Sequence, residues 1–205
     1  MVAILAWPGK IMLDFDNAKI VGALAGRETR LAVAFSTACA QRLVNSFDRL
    51  EEYEEAKSIA QTTLRALKSY LFDGEVLPEG LENQLVSFIP GEDDDPSLPA
   101  GTLDDALAAL AFSVRASTTS PIESACNAAA RALATSFRYS LQFLNETLLT
   151  DSSLRFAMEN RIVQCELQRQ ERDLADIGDG SQQMKAIVRR LINRFPAEAV
   201  LEKNV

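Results

Sequence analysis

The sequence predicts an all-α protein, a single-domain bundle of six or seven mostly antiparallel helices, and three observations carry that expectation. Ala, Leu, Glu, Arg and Gln are abundant while Gly and Pro are sparse, and these side chains lose little rotamer freedom in a helix. Apolar residues recur at three-four spacing over long stretches, and no segment alternates with period two. Finally, 205 residues with 47% apolar content suffice for one core, so residues 1–205 are read as one helical domain.

The elements follow in order. An apolar extension, about 1–15, begins Met1 to Trp7 and is cut by Pro8-Gly9. It lacks the flanking charge of a signal peptide. From Asp16 helical signals recur. Leu24, Leu31, Phe35, Cys39 and Leu43 predict a first long helix over 23–45, although Gly22 and Gly26 blur its start. Asp48 is placed to cap a second, with Leu50, Tyr53, Ala60, Leu64, Leu67 and Leu71 on its seam and Asp73-Gly74 as its stop. A short helix follows with Pro78 in its first turn and Leu81, Leu85 and Phe88 on one face.

Residues 90–101, with three prolines and two glycines, read as a long acidic loop. Thr102 and Asp105 then have the spacing to cap the next helix, whose seam is Leu103, Leu107, Leu110 and Val114. Ser120-Pro121-Ile122-Glu123 is a stronger start, opening a helix to about Leu149 with Ile122, Cys126, Ala129, Leu133 and Phe137 facing the core. Asp151 or Ser152 opens another to Ile177, and Ser181 a last one ending at Phe195-Pro196. Asp105 and Ser120 are thus expected to work as helix-start residues.

Composition excludes several functions. There is no histidine, which removes Ser-His-Asp and Cys-His catalysis, HExxH and Glu-x-x-His metal sites and most catalytic zinc sites. The cysteines Cys39, Cys126 and Cys165 are odd in number and set in helical patterns, so they read as reduced, inert thiols of a cytoplasmic protein. No apolar stretch reaches the roughly 18–20 residues of a membrane span.

Charge is segregated. Between Lys68 and Arg115 there is no Lys or Arg, while Asp73, Glu75, Glu79, Glu82, Glu92, Asp93, Asp94, Asp95, Asp104 and Asp105 supply ten acids. The −8 of the chain is therefore an acidic middle joined to a nearly neutral body. Such a surface repels phosphates and anionic lipid, so neither nucleic acid nor membrane is an expected partner. The expected role is a non-enzymatic interaction or regulatory module, of adaptor or immunity type. Its candidate patch is Glu92, Asp93, Asp94, Asp95 and Asp104, and its partner a basic protein. Lys185, Arg189, Arg190 and Arg194 of the last helix are alternative partners for the same acids within the bundle.

The alternative function is a carboxylate-dependent, Mg²⁺-using phosphohydrolase, since these acids offer hard oxygen ligands. Their spacing does not match an EF-hand, and the overlapping Glu-x-x-Glu pairs in Glu51-Glu52-Tyr53-Glu54-Glu55 lack a facing acidic cluster. No resident metal or cofactor is therefore expected. The long helix at 121–149 also suits a two-fold homodimer.

Several features in order resemble a known family. They are Leu31 to Arg42 with its aromatic and cysteine, the junction Phe88-Ile89-Pro90 followed by Asp93-Asp94, the helix from Asp105 to Leu110, and Gln170 to Asp173. In these the chain resembles the YjaG-like bacterial family of unknown function, domain of unknown function 416, over about residues 25–178. The resemblance implies an all-α fold, and the family has no established activity from which site residues could be carried over. The apolar N-terminal extension and Arg161, where the family tends to an acid, depart from its pattern.

Overall fold

The computed structural model describes residues 14–47, 53–89, 98–142, 150–178, 183–194 and 200. Among the described residues there are nine helices and no strand: α1 (Asn17–Leu24), α2 (Thr29–Phe47), α3 (Glu54–Asp73), α4 (Leu81–Ser87), α5 (Leu98–Ala116), α6 (Pro121–Leu141), α7 (Asp151–Glu159), α8 (Arg161–Gly178) and α9 (Met184–Arg194). The expected count of six or seven is low for two reasons. α1 stands ahead of the helix expected over 23–45, which is broken from it after Leu24, and the helix expected from 151 to 177 is broken once.

The first break follows Leu24, where Ala25 leaves the helical region and Gly26 takes φ +70. This left-handed geometry suits a residue without Cβ. The second break is at Asn160, whose backbone is extended and whose side chain accepts from Ile162 N at 3.0 Å, so it ends α7 and caps α8. The cap of α7 is Thr150 rather than Asp151 or Ser152. Its hydroxyl accepts from Ser153 N, and Ser153 Oγ accepts from Thr150 N.

Other boundaries also moved. Gly74 ends α3 in the left-handed conformation, as expected. At the other end of α3, Tyr53 stands before the helix at φ 66, while Asp48 lies outside the described residues. Pro78 precedes α4 by three residues. Helix α5 starts at Leu98, so Thr102 is buried inside it, and Asp105 lies about two turns in rather than at its start. Ser120 does occupy the N-cap of α6 but makes no side-chain capping bond. The expected continuation of α6 over 143–149, the start at Ser181 and the stop at Phe195-Pro196 lie outside the described residues.

Helices α2, α5 and α6 form the centre, with α3 and α4 against α5, α1 and α7 against α6 and α8, and α9 against α2 and α3. Every residue from Leu31 to Val44 is buried, so α2 is enclosed on all sides. α6 turns a face of small residues inward, Ala125, Ala128, Ala129, Ala132, Thr135 and Ser136. Ile122, Cys126, Leu133 and Phe137, expected in the core, are only half-buried. Close approach to α2 and α5 favours the narrow alanine face over the bulkier one, so side-chain size rather than hydrophobicity set the rotation of this helix. Among the described residues no helix is long and apolar enough to cross a membrane.

Candidate functional site

Of the predicted patch, Glu92, Asp93, Asp94 and Asp95 lie outside the described residues, and Asp104 is half-buried on α5. Asp104 is paired with Arg131 at 3.4 Å. Its neighbour Asp105 is fully buried and accepts from three donors of α6: Thr135 Oγ1 at 2.7 Å, Arg138 Nη1 at 3.0 Å and Arg131 Nη1 at 3.2 Å. These bonds join the start of α5 to the end of α6 across the hairpin made by residues 117–120. Gly101 is part of the same contact, because a Cβ there would stand 2.7 Å from Arg138 Nη1. Asp105 is thus the hub of an interhelical cluster, not a helix-start residue. On α4, Glu82 accepts from Arg115 Nε at 2.9 Å.

The arginines of α9 do not reach the acidic segment among the described residues. Arg190 pairs with Asp176 at 2.9 Å, and Arg194 with Asp176 at 2.6 Å and Asp173 at 3.5 Å, both acids on α8. Lys185 and Arg189 are exposed. The acidic middle therefore draws its internal counter-charges from α5 and α6, while α9 is clamped to α8.

The densest charged constellation was not anticipated. Arg42, fully buried on α2, donates Nε to Glu166 Oε2 at 3.1 Å, Nη2 to Glu166 Oε1 at 2.9 Å and Nη1 to Asp173 Oδ2 at 2.8 Å. Gln170 donates to Glu166 Oε1 at 3.0 Å and to the Ala129 carbonyl at 3.1 Å, tying the cluster to α6. Burial works against the charge of Arg42, but Glu166 and then Cys39 and Asp173 outweigh it and hold its pKa above the ordinary arginine value. Cys39 Sγ accepts from Arg42 Nη2 at 3.4 Å. Burial, only partly opposed by Arg42, pushes its thiol far up, so it stays protonated and is no nucleophile.

Glu166, Gln170 and Asp173 recur on α8 at the four- and three-residue spacing of its buried Val163, Leu167, Leu174 and Ile177. Polar side chains in register with a buried stripe were the signal that could have revealed this cluster.

Arg42 offsets one of the two carboxylate charges, and Arg172 at 3.3 Å and Arg194 at 3.5 Å from Asp173 Oδ1 offset the other. Arg42, Glu166 and Asp173 have no exposure to solvent beyond 1% of their side chains. Among the described residues no group of three or more Cys, Asp or Glu is placed to hold a metal ion. A small cleft between α1 and α8, lined by Asp16, Lys19, Ile20, Gln170, Glu171 and Leu174, is bridged by the Lys19–Glu171 pair at 2.6 Å.

A solved structure of a DUF416 family protein from Shewanella baltica OS155 matches this architecture with a TM-score of 0.74, covering 90% of this chain and 95% of that one. The fold is that of a DUF416 protein. At 16% identity the likeness concerns the fold, and it meets the sequence resemblance there without bearing on YjaG-like members in particular. No family model matches the sequence, and no curated protein matches it. The DUF416 fold brings with it no named substrate, so the function rests on what this chain's own surface offers.

Proposed function

We propose that this chain is a non-enzymatic protein-interaction module that presents its acidic middle segment to a basic protein. One observation carries the reading. Of the arginines that reach the segment, Arg115, Arg131 and Arg138 are taken up by Glu82, Asp104 and Asp105 and Arg30, beside Gly74, lies over Tyr70, while Asp73, Glu75 and Glu79 stand exposed with no ion pair among the described residues. Their field is thus left to act outward, where complementary charge steers encounter and selects partners. Glu92, Asp93, Asp94 and Asp95 extend the same run in sequence.

Affinity capture from the native host should separate the wild type from two variants, Asp73→Asn/Glu75→Gln/Glu79→Gln and Asp93→Asn/Asp94→Asn/Asp95→Asn. Both should lose the basic proteins that the wild type retains at low salt. Identical partner sets for all three proteins would overturn the reading. Titration with Mg²⁺ or Mn²⁺ at millimolar concentration should leave Tm unchanged, because an ion bound to the native state would raise it. A clear rise would favour the phosphohydrolase alternative.

A further inference from the structure

Six large apolar side chains are exposed among the described residues, and four of them fall between residues 72 and 88: Phe72, Val76, Val86 and Phe88. A single exposed valine is ordinary, whereas a concentration of apolar side chains marks a contact surface. Val76 is 93% exposed.

This corner is held in place. Gly74 and Gly80 turn the chain at φ +75 and +76, and Leu71, Leu81 and Leu85 are buried on either side of the turn. Arg115 pins Glu82 of α4 from α5 and lies over the Phe112 ring, 5.5 Å from its centroid. On the other flank Arg30 lies over Tyr70 at 5.7 Å. Val76 is therefore presented by a turn between two anchored helices and Phe72 and Val86 by those helices themselves, which lowers the entropy lost when something docks on them.

We infer that the α3–α4 corner docks a basic protein segment carrying aliphatic or aromatic anchors, with Val76 and Val86 receiving the anchors and Asp73, Glu75 and Glu79 facing the partner's Lys or Arg. The inference rests on the interaction reading above and assigns its surface. Charge chooses the occupant. Exposed acids interleave with the apolar side chains, the sequence from 69 to 114 holds no Lys or Arg, and of the two flanking arginines Arg115 is paired to Glu82 and Arg30 lies over Tyr70. A second copy of this chain would bring like charges together, and phosphate-bearing nucleic acid or anionic lipid would be repelled in the same way.

The test is selection of random peptides displayed on phage against the folded full-length chain, followed by fluorescence polarisation of the enriched peptides as labelled synthetic probes. Enriched sequences should combine Lys or Arg with an apolar anchor. Their affinity should fall about tenfold or more in Val76→Ser/Val86→Ser, in line with loss of a buried anchor. In Asp73→Asn/Glu75→Gln/Glu79→Gln it should lose most of its salt dependence. The valine pair is solvent-exposed, and an unchanged thermal melt would show that its fold is intact. Enriched peptides whose affinity is unchanged in the valine pair would overturn this surface while leaving the interaction reading standing. No enrichment would overturn both. Light scattering that shows a dimer dispersed by Val76→Ser/Val86→Ser would overturn the assignment in favour of self-association.

Discussion

Around Arg42 one cation sits at the centre with carboxylates about it, and around Asp105 one carboxylate sits at the centre with arginines about it. In the first cluster both Arg42 and Glu166 are wholly buried, and Asp173 is 1% exposed. In the second, Asp105 is wholly buried while Arg131 and Arg138 each keep 40% of their side-chain exposure. The difference lies in what each centre leaves behind when it is removed. Without Arg42, the wholly buried Glu166 loses its cation, while Asp173 keeps Arg172 at 3.3 Å and Arg194 at 3.5 Å. Without Asp105, two long flexible cations can turn outward and be solvated.

The largest expected effect is therefore at Arg42. Arg42→Met should cost about 3–5 kcal/mol, since it strands Glu166 in the interior and leaves Asp173 to Arg172 and Arg194 alone. Adding Glu166→Met should restore part of the loss, because an apolar pair needs no counter-charge, although Gln170 then loses one acceptor. Denaturant melts decide the matter, and a single variant as stable as the wild type would mean that water reaches the cluster. Asp105→Asn should cost less, about 1–3 kcal/mol. An amide oxygen in the place of Oδ2 still accepts from Thr135 and Arg138, and Arg131, which loses its acceptor, relaxes toward solvent. If it costs as much as Arg42→Met, burial of the central group alone governs both clusters and the contrast between them dissolves.

Cys39 sharpens the contrast, because it probes how dry the Arg42 cluster is. Burial raises its thiol far above the ordinary cysteine range, so the folded chain holds that proton more tightly than the unfolded chain does. The resulting stability is fully present below about pH 9 and is lost as pH rises toward the folded value, at up to about 1.4 kcal/mol per pH unit. The slope of unfolding free energy between pH 9 and 10 should flatten in Cys39→Ala relative to wild type. Equal slopes would place the thiol in contact with water.

Most of the helical seams were legible because large apolar residues announce them. Leu64, Leu67 and Leu71 of α3 and Leu103, Leu107 and Leu110 of α5 are buried as their spacing predicts. Gly26 marked an uncertain start, but the separate helix α1 before it and the break at Asn160 were not legible, since the apolar period continues through each while one residue's backbone conformation and one side-chain cap decide the interruption. The inward face of α6 was misread because alanines carry little hydrophobic weight yet permit the closest packing. Arg42, Glu166 and Asp173 were passed over for a related reason. A charged residue on a helix is ordinarily solvated, and only its register with α8's buried stripe distinguishes it. Asp105 was assigned a cap because Thr102 stands three residues before it, whereas α5 begins earlier at Leu98.

The smallest effect tests how freely the outer arginines move. Gly101 lies in α5 with Arg138 across it, where a Cβ would stand 2.7 Å from Nη1 and 3.0 Å from Cζ. Alanine in a helix is favoured over glycine by roughly 0.5–1 kcal/mol. In the wild type that gain should be cancelled, because Arg138 must swing aside and surrender its 3.0 Å contact with Asp105. In an Arg138→Ala background nothing obstructs the new methyl, so Gly101→Ala should then stabilise by about 0.5–1 kcal/mol, and a double-mutant cycle isolates the coupling. A loss of more than about 2 kcal/mol for Gly101→Ala alone would mean that Arg138 cannot move aside. The outer cations of the Asp105 cluster would then be as fixed as the buried carboxylates around Arg42.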